Sequence, residues 1–332
     1  MSNRRTVTVV VDAQGGDNAP SEILSGVVMA LQADPDLAVI LTGEADVVGQ
    51  FAAGHDRVEG FPTTQIIEMD EHPANAVRSK KDSSIVVGCR LVKEGRADAF
   101  FSAGSTGAAM AAATLVMGRI KGVARPAIAT VVPTAGPPAV MLDVGANADC
   151  KPEHLLQFAH MGSAYATVVL DVAQPRIALL NIGEEPSKGS VLAQESHVLM
   201  TDSLPGFIGN IEGRDVLAGA TDVIVTDGFT GNVALKLLEG TSKILLGQVK
   251  DAMTSSAINT MAAAVLKPSL SRLKQRLDPE TYGGAPLLGV AGVCIIGHGS
   301  SNARAVANAL RVAAQAVRGD LTERIAAAVT SN

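Results

Sequence analysis

Short runs of β-branched and other apolar residues alternate along the chain with segments whose apolar positions recur every three or four residues. Residues 7–11, 38–41, 97–101, 127–132, 140–143, 176–181, 223–227 and 293–296 read as strands, most of them continuous apolar runs suited to burial on both faces of a sheet. Helical spacing covers 21–32, 83–93, 106–117, 152–170, 190–200, 232–250 and 302–318. Strand and helix in alternation predict an α/β fold with a mostly parallel sheet sandwiched between helices. No repeat and no long linker divides the sequence, so residues 1–332 are expected to form one α/β/α catalytic domain, with or without two lobes. Within 253–277, Ile258, Met261, Val265, Leu266, Leu270, Leu273 and Leu277 fall near helical spacing around Pro268, among Lys267, Arg272, Lys274 and Arg276. That predicts two short amphipathic helices, a protruding hairpin that packs on a second copy or lies on an anionic bilayer.

One construction recurs: at 12–18, 102–107, 181–189, 227–232 and 297–302 a predicted strand ends in a glycine-containing loop that opens a helix. Parallel sheets gather such loops at the carboxyl ends of their strands, so the five are expected in one crevice. Glycine lets the backbone approach a ligand, and the following helix presents unpaired N–H groups, a combination that suits phosphate or a carbonyl oxyanion. Gly104, Ser105, Thr106, Gly107, Gly231, His298, Ser300 and Ser301 are the candidate phosphate- and oxyanion-binding residues. Lys188, in the turn 187–190 before a helix, is placed to neutralise phosphate, unless it is a solvated surface lysine. Asn232, after Asp227-Gly228-Phe229-Thr230-Gly231, is either a helix cap or a donor to a carbonyl oxygen. His298 is a base, a donor or a structural residue. Neither a P-loop nor a Gly-x-Gly-x-x-Gly after the first strand is present, and no Gly-x-Ser-x-Gly elbow marks a nucleophile.

Composition narrows the partners. Only 3% of the residues are aromatic, with no Trp, which leaves little to stack on bases, so no nucleic acid is expected. The chain is 47% hydrophobic, which excludes a disordered protein. The net charge of −6 argues against a wholesale polyanion-binding surface. Against that balance Arg78, Lys80, Lys81, Arg90, Lys93 and Arg96 concentrate positive charge, either a solvated helix face or a surface for an acidic partner. The apolar stretch 108–117 is about half of the ~20 residues that cross a bilayer, and residues 1–5 lead into the first strand without a secretory signal pattern. A cytoplasmic protein with peripheral membrane contact is expected. Cys89, Cys150 and Cys294 form no CxxC pair, and no His/Asp/Glu cluster has metal-ligand spacing, so neither metal nor other cofactor is implied.

These motifs, in this order, resemble the fatty acyl-acyl carrier protein:phosphate acyltransferases of bacterial phospholipid synthesis, the PlsX family. The likeness runs through Val11-Asp12-Ala13-Gln14-Gly15-Gly16-Asp17, His72-Pro73-Ala74 with Arg78-Ser79-Lys80, Ser102-Ala103-Gly104-Ser105-Thr106-Gly107-Ala108 and Leu142-Asp143-Val144-Gly145-Ala146-Asn147. It continues through Asn181-Ile182-Gly183-Glu184-Glu185 with Lys188-Gly189, Asp227-Gly228-Phe229-Thr230-Gly231-Asn232, Tyr282-Gly283-Gly284-Ala285 and His298-Gly299-Ser300-Ser301. Gln14 departs from the Met expected there. The resemblance implies an α/β/α fold similar to phosphotransacetylases and isopropylmalate dehydrogenases, a homodimer, and association with the inner face of the membrane. It also implies transfer of a long-chain acyl group from acyl carrier protein to inorganic phosphate, with the acyl phosphate passed to a glycerol-3-phosphate acyltransferase. On that reading Lys188 and Asn232 are catalytic, the basic residues from Arg78 to Arg96 meet the acidic carrier, and Ile258, Met261, Val265, Leu270 and Leu273 touch the membrane. Other readings are a short-chain acyl-CoA phosphotransacetylase, a metal-dependent decarboxylating NAD dehydrogenase on the same fold, and a non-catalytic membrane scaffold.

Overall fold

The apolar runs become strands because only a sheet covered on both sides can bury them and still pair their backbone groups. The computed structural model describes residues 5–277 and 279–330, with 262, 272–277, 279 and 280 described without side chains. From the start of the chain come β1 (Val7–Asp12), α1 (Ser21–Ala33), β2 (Leu37–Gly43), α2 (Ala45–Ala53), β3 (Val58–Pro62), α3 (Pro73–Ser79) and α4 (Ser84–Lys93). Next are β4 (Ala99–Ser102), α5 (Thr106–Ala112), which continues as a π turn over Ala113–Met117, β5 (Ala127–Val132), β6 (Ala139–Leu142) and α6 (Pro152–Val169). Then follow β7 (Ile177–Leu180), α7 (Val191–Ser203), β8 (Phe207–Ile211), β9 (Val223–Val225), α8 (Gly228–Thr254) and α9 (Ala257–Leu277). The chain closes with β10 (Ala285–Leu288), β11 (Val293–Ile296), α10 (Ala303–Arg318) and α11 (Leu321–Thr330).

One eleven-stranded sheet runs β3-β2-β1-β4-β11-β10-β5-β6-β9-β7-β8. Alternate residues of its strands feed two separate cores: Val9, Val11, Phe101, Val140 and Leu142 pack under α1, α6, α10 and α11, whereas Val10, Phe100, Met141 and Ile224 pack under α4 and α5. This period of two produces the three layers. The strands from β3 to β11 are parallel, and so are β6, β9, β7 and β8. Three antiparallel pairs in the middle, β11 with β10, β10 with β5 and β5 with β6, turn the second set to run opposite to the first.

The expectation of a single crevice is met in part: residues of the loops at 102–107, 227–232 and 297–302 line one cavity, and those at 12–18 and 181–189 do not. The loops after β1, β4 and β11 open at one edge, while those after β7 and β9 start from strands pointing the other way. The elements absent from the sequence reading have physical reasons. Edge strands β3 and β8 are only partly buried and carry Glu59 or Asn210 with glycines, and β10 is a four-residue insertion behind Gly283-Gly284, so none shows a long apolar run. The predicted pair of short helices at 253–277 is instead a turn at 255–256 followed by the single helix α9, which runs through Pro268 and packs beside α8. A helix-interior proline costs about 3 kcal/mol, and on a mostly exposed helix the carbonyl it frees can be hydrated.

Candidate functional site

The loops after β1, β4 and β11 are tied to one another. Asp17 N–H donates to Gly299 O (2.7 Å). Ser102 Oγ donates to Asp12 Oδ2 (2.7 Å) and accepts the Gly104 N–H (3.0 Å), while Gln14 N–H donates to Asp12 Oδ1 (3.0 Å). Glycine is required at position 15, because a Cβ there would stand 2.6 Å from both Asp12 Oδ2 and Gly104 N. Asp12 is buried, and desolvation pushes its carboxyl above the usual range against the hydrogen bonds that favour the charged form.

Beside these loops a crevice of about 560 Å³ opens between the sheet and α8. Gly104, Thr106, His298, Ser300 and Ser301 supply polar wall from one side and Asn232 from the other, over apolar surface that includes Phe101, Ile128, Val144 and Leu235. The first turn of α5 has open donors: Ser105 Oγ takes the Ala108 N–H (3.4 Å), and the first i→i−4 bond runs from Ala109 to Ser105 (2.9 Å), which leaves the Thr106 and Gly107 amides without intrahelical acceptors. His298 Nδ1 accepts the Ser300 N–H (3.2 Å) and lies 2.8 Å from Ser300 Oγ. A backbone N–H can only donate, so the ring proton sits on Nε2, the nitrogen left for a ligand.

Several expected donors are already spent. The Gly104 N–H is held by Ser102, and the Gly231 N–H donates to Asp227 O (2.9 Å). Ser301 N–H donates to His298 O (2.9 Å). The N-terminus of α8 is fully capped: Asp227 Oδ1 accepts from Phe229 and Thr230, and Gly228 N–H donates to Asn147 O (2.8 Å). At α10, Glu22 Oε2 accepts the Ala303 N–H (2.6 Å) and Asn302 Oδ1 that of Ala305 (3.0 Å), so a carboxylate occupies the place an anion would take. Gly231 is present for packing, since a Cβ there would overlap the carbonyl oxygen of Asp143. Asp143 itself is buried and accepts five hydrogen bonds from Ile128, Gly145, Ala146 and Asn147, with desolvation still pushing its carboxyl upward. Gly107 backs onto Pro73 and does not line the crevice.

Lys188 lies elsewhere. Its loop walls a separate recess of about 290 Å³ beside the α8 N-terminus, lined by Asn181, Gly189, Ser190, Asp227 and Thr230 among others. The ammonium is half-exposed, 4.0 Å from Glu185 Oε1, and does not line the crevice that holds Asn232. Ser190 caps α7 by accepting the Ala193 N–H (3.2 Å), leaving the Val191 and Leu192 amides open in the same way as on α5.

The basic residues from Arg78 to Arg96 divide. Lys80 is engaged by Glu71, and Arg96 by Glu59 (2.6 Å) and the face of Phe61. Among the described residues Arg78, Lys81 and Arg90 have no acidic partner. In the hairpin Ile258, Met261 and Val265 are among the most exposed apolar side chains, at 79%, 72% and 81%, and Leu270 is half-buried. The Leu273 side chain lies outside the described residues. On α8, Phe229, Val233, Leu237 and Ile244 extend the exposed apolar surface. Among the described residues no helix is long and apolar enough to cross a membrane. The thiols are poor nucleophiles: burial pushes Cys150 up to about 11 and Cys294 to about 12.

Lys236 and Glu239 also line the crevice, from the body of a helix and not from a loop. Their signal was present, because positions 232, 235, 236 and 239 share one face of a helix.

Residues 7–324 match the family described as fatty acid synthesis protein. A phosphate acyltransferase from Desulfitobacterium hafniense is 50% identical over 321 residues, covering 96% of each chain. Another from Nostoc sp. is 48% identical over 325 residues, 96% of this chain and 95% of the relative. Among solved structures, a phosphotransacetylase from Streptococcus pyogenes aligns with a TM-score of 0.60 at 17% identity over 94% of each chain, a likeness of fold.

Proposed function

This chain belongs to the fatty acid synthesis protein family, and from that premise we propose that it transfers a long-chain fatty acyl group from the thioester of acyl carrier protein to inorganic phosphate. An oxygen of the phosphate dianion attacks the thioester carbonyl, the carbon–sulfur bond breaks, and acyl phosphate leaves with the free carrier thiol. Phosphate is nucleophilic unaided, so the protein has to hold it in line with the carbonyl and stabilise the oxyanion that forms. The observation that carries the reading is the crevice in which Asn232, the open Thr106 amide and the Nε2–H of His298 converge over apolar surface. The carbonyl oxygen is held by Asn232, with Thr106, Ser300 and Ser301 completing the cradle, while the apolar walls accept the acyl chain or the thioester arm. Lys188, with the open amides of α7, neutralises phosphate from the neighbouring recess. With Cys150 and Cys294 pushed far above neutrality, a direct transfer without an acylated enzyme is favoured.

The exposed apolar hairpin supports a homodimer and contact with an anionic membrane, where acyl phosphate passes to a glycerol-3-phosphate acyltransferase that uses it. Arg78, Lys81 and Arg90 remain available to the acidic carrier, with Lys80 and Arg96 partly neutralised at its edge.

The test is incubation of the purified protein with acyl carrier protein thioester and phosphate, followed by mass analysis of the acyl product. Acyl phosphate is expected. Asn232→Ala should lower kcat by about 10²–10³-fold if the amide holds the oxyanion, and Lys188→Ala should abolish turnover with fold and assembly intact. Near-normal rates in Lys188→Ala reject its role, and turnover of acetyl-CoA but not the carrier thioester selects the short-chain reading.

A further inference from the structure

Among the described residues that line the crevice, Lys236 and Glu239 are the only Lys, Arg, Asp or Glu side chains. Lys236 stands one helical turn beyond Asn232, so both share the strip of α8 that faces the cavity with Leu235 and Glu239. Its Nζ lies 2.8 Å from Glu239 Oε2. One carboxylate takes one of the three ammonium donors and leaves two, and a solvent-accessible pair of this kind is weak enough to be reorganised by a stronger anion. The remaining polar groups of the cavity point to the same ligand. The Thr106 amide is open, and the Nε2 of His298 carries the proton because its Nδ1 accepts from Ser300. These donors and the cation line one cavity, whose walls do not include Lys188.

Resting on the phosphate acyltransferase reading, we propose that Lys236 is a substrate-binding residue that holds a phosphate oxyanion in the crevice, with Glu239 steadying the ammonium before the anion arrives. The two charges of the pair cancel. Without Lys236 the crevice would present a bare carboxylate to an anionic substrate, so its removal costs an attraction and exposes a repulsion, and neutralising Glu239 as well restores part of the loss. Two substrates carry this chemistry: inorganic phosphate, and the phosphodiester of the carrier's pantetheine arm.

Steady-state kinetics of Lys236→Gln, Lys236→Arg, Glu239→Gln and the Lys236→Gln/Glu239→Gln double variant test the proposal, with the circular-dichroism melting midpoint as a control for folding. Phosphate is varied at saturating carrier thioester, and then the carrier thioester is varied beside an acyl-pantetheine that lacks the phosphate. Lys236→Gln is expected to raise one KM about tenfold or more, Lys236→Arg to stay near wild type, and the double variant to recover in part. A rise confined to the phosphate KM assigns the site to the co-substrate. A rise in the carrier-thioester KM, with acyl-pantetheine unaffected, assigns it to the phosphodiester. Both KM values within twofold of wild type overturn the proposal, whatever happens to kcat. Failure of the wild-type protein to form acyl phosphate sinks the underlying reading instead. In that case titration calorimetry of inorganic phosphate, and of the pantetheine-bearing carrier, against wild type and Lys236→Gln still decides the binding role, and equal heats in the two proteins with both ligands reject it.

Discussion

At the residue scale, what a glycine or serine does in this chain depends on whether its N–H is already committed. On the sequence Gly104, Gly231 and Ser301 are candidates for phosphate or oxyanion binding, and in the structure the amides of all three are bonded within the protein, which leaves the Ser301 hydroxyl as the group available to a ligand. Thr106, His298, Ser300 and Asn232 do reach the crevice, because each follows a short strand-to-helix loop whose direction the chain specifies locally. Gly231 illustrates the packing alternative. Its Cα lies against the carbonyl of Asp143, a residue immobilised by five hydrogen bonds, so the neighbour cannot yield. Gly231→Ala is expected to destabilise the fold by about 2 kcal/mol or more, through overpacking alone. Urea titration followed by circular dichroism measures this, and an unchanged midpoint would mean that the 143–147 loop can move.

Among elements, the hairpin of α8 and α9 departs furthest from an ordinary globular surface. A helix of 27 residues is about 40 Å long. Only its first turns pack on the body, where Ala234, Leu235 and Leu238 meet the core under α5. The rest carries exposed Ile244, Leu245 and Val249, and α9 adds Ile258, Met261 and Val265. Contiguous exposed apolar surface of this kind marks interaction sites in soluble proteins, and we propose contact with a membrane or a second copy here. Because these side chains are exposed in the single chain, Ile258→Glu with Val265→Glu should change its unfolding free energy by no more than ~0.5 kcal/mol per site and should release the protein from anionic vesicles. Sedimentation with vesicles and light scattering read the two outcomes. Unchanged sedimentation with a halved mass would assign the stripe to contact between copies. The sequence pattern located this element but misjudged its form, since Pro268 and the Ser255-Ser256 turn are equally plausible breaks and only packing against α8 chooses between them.

For the whole molecule, one sheet of eleven strands joins two parallel sets that run in opposite directions. The antiparallel strands β10 and β5 lie between them, and the core over α6 and α10 takes residues from both sets, including Val9 and Val140. We therefore expect one cooperative thermal transition, with calorimetric and van't Hoff enthalpies equal; two resolved transitions would divide the chain into separate domains. Burial on both faces writes itself into a strand as an uninterrupted apolar run, and helix periodicity follows from a single buried face. Class, layers and the central strands were for that reason legible in the sequence, together with the loops that carry Thr106, Asn232 and His298. Strand direction in the middle of the sheet was not, because an antiparallel insertion such as β10 buries the same residues as a parallel one. Only the assembled sheet left Lys188 outside the crevice that Asn232 lines and brought Lys236 into it, since local patterns encode which face of an element is buried and carry no record of which distant element it will meet.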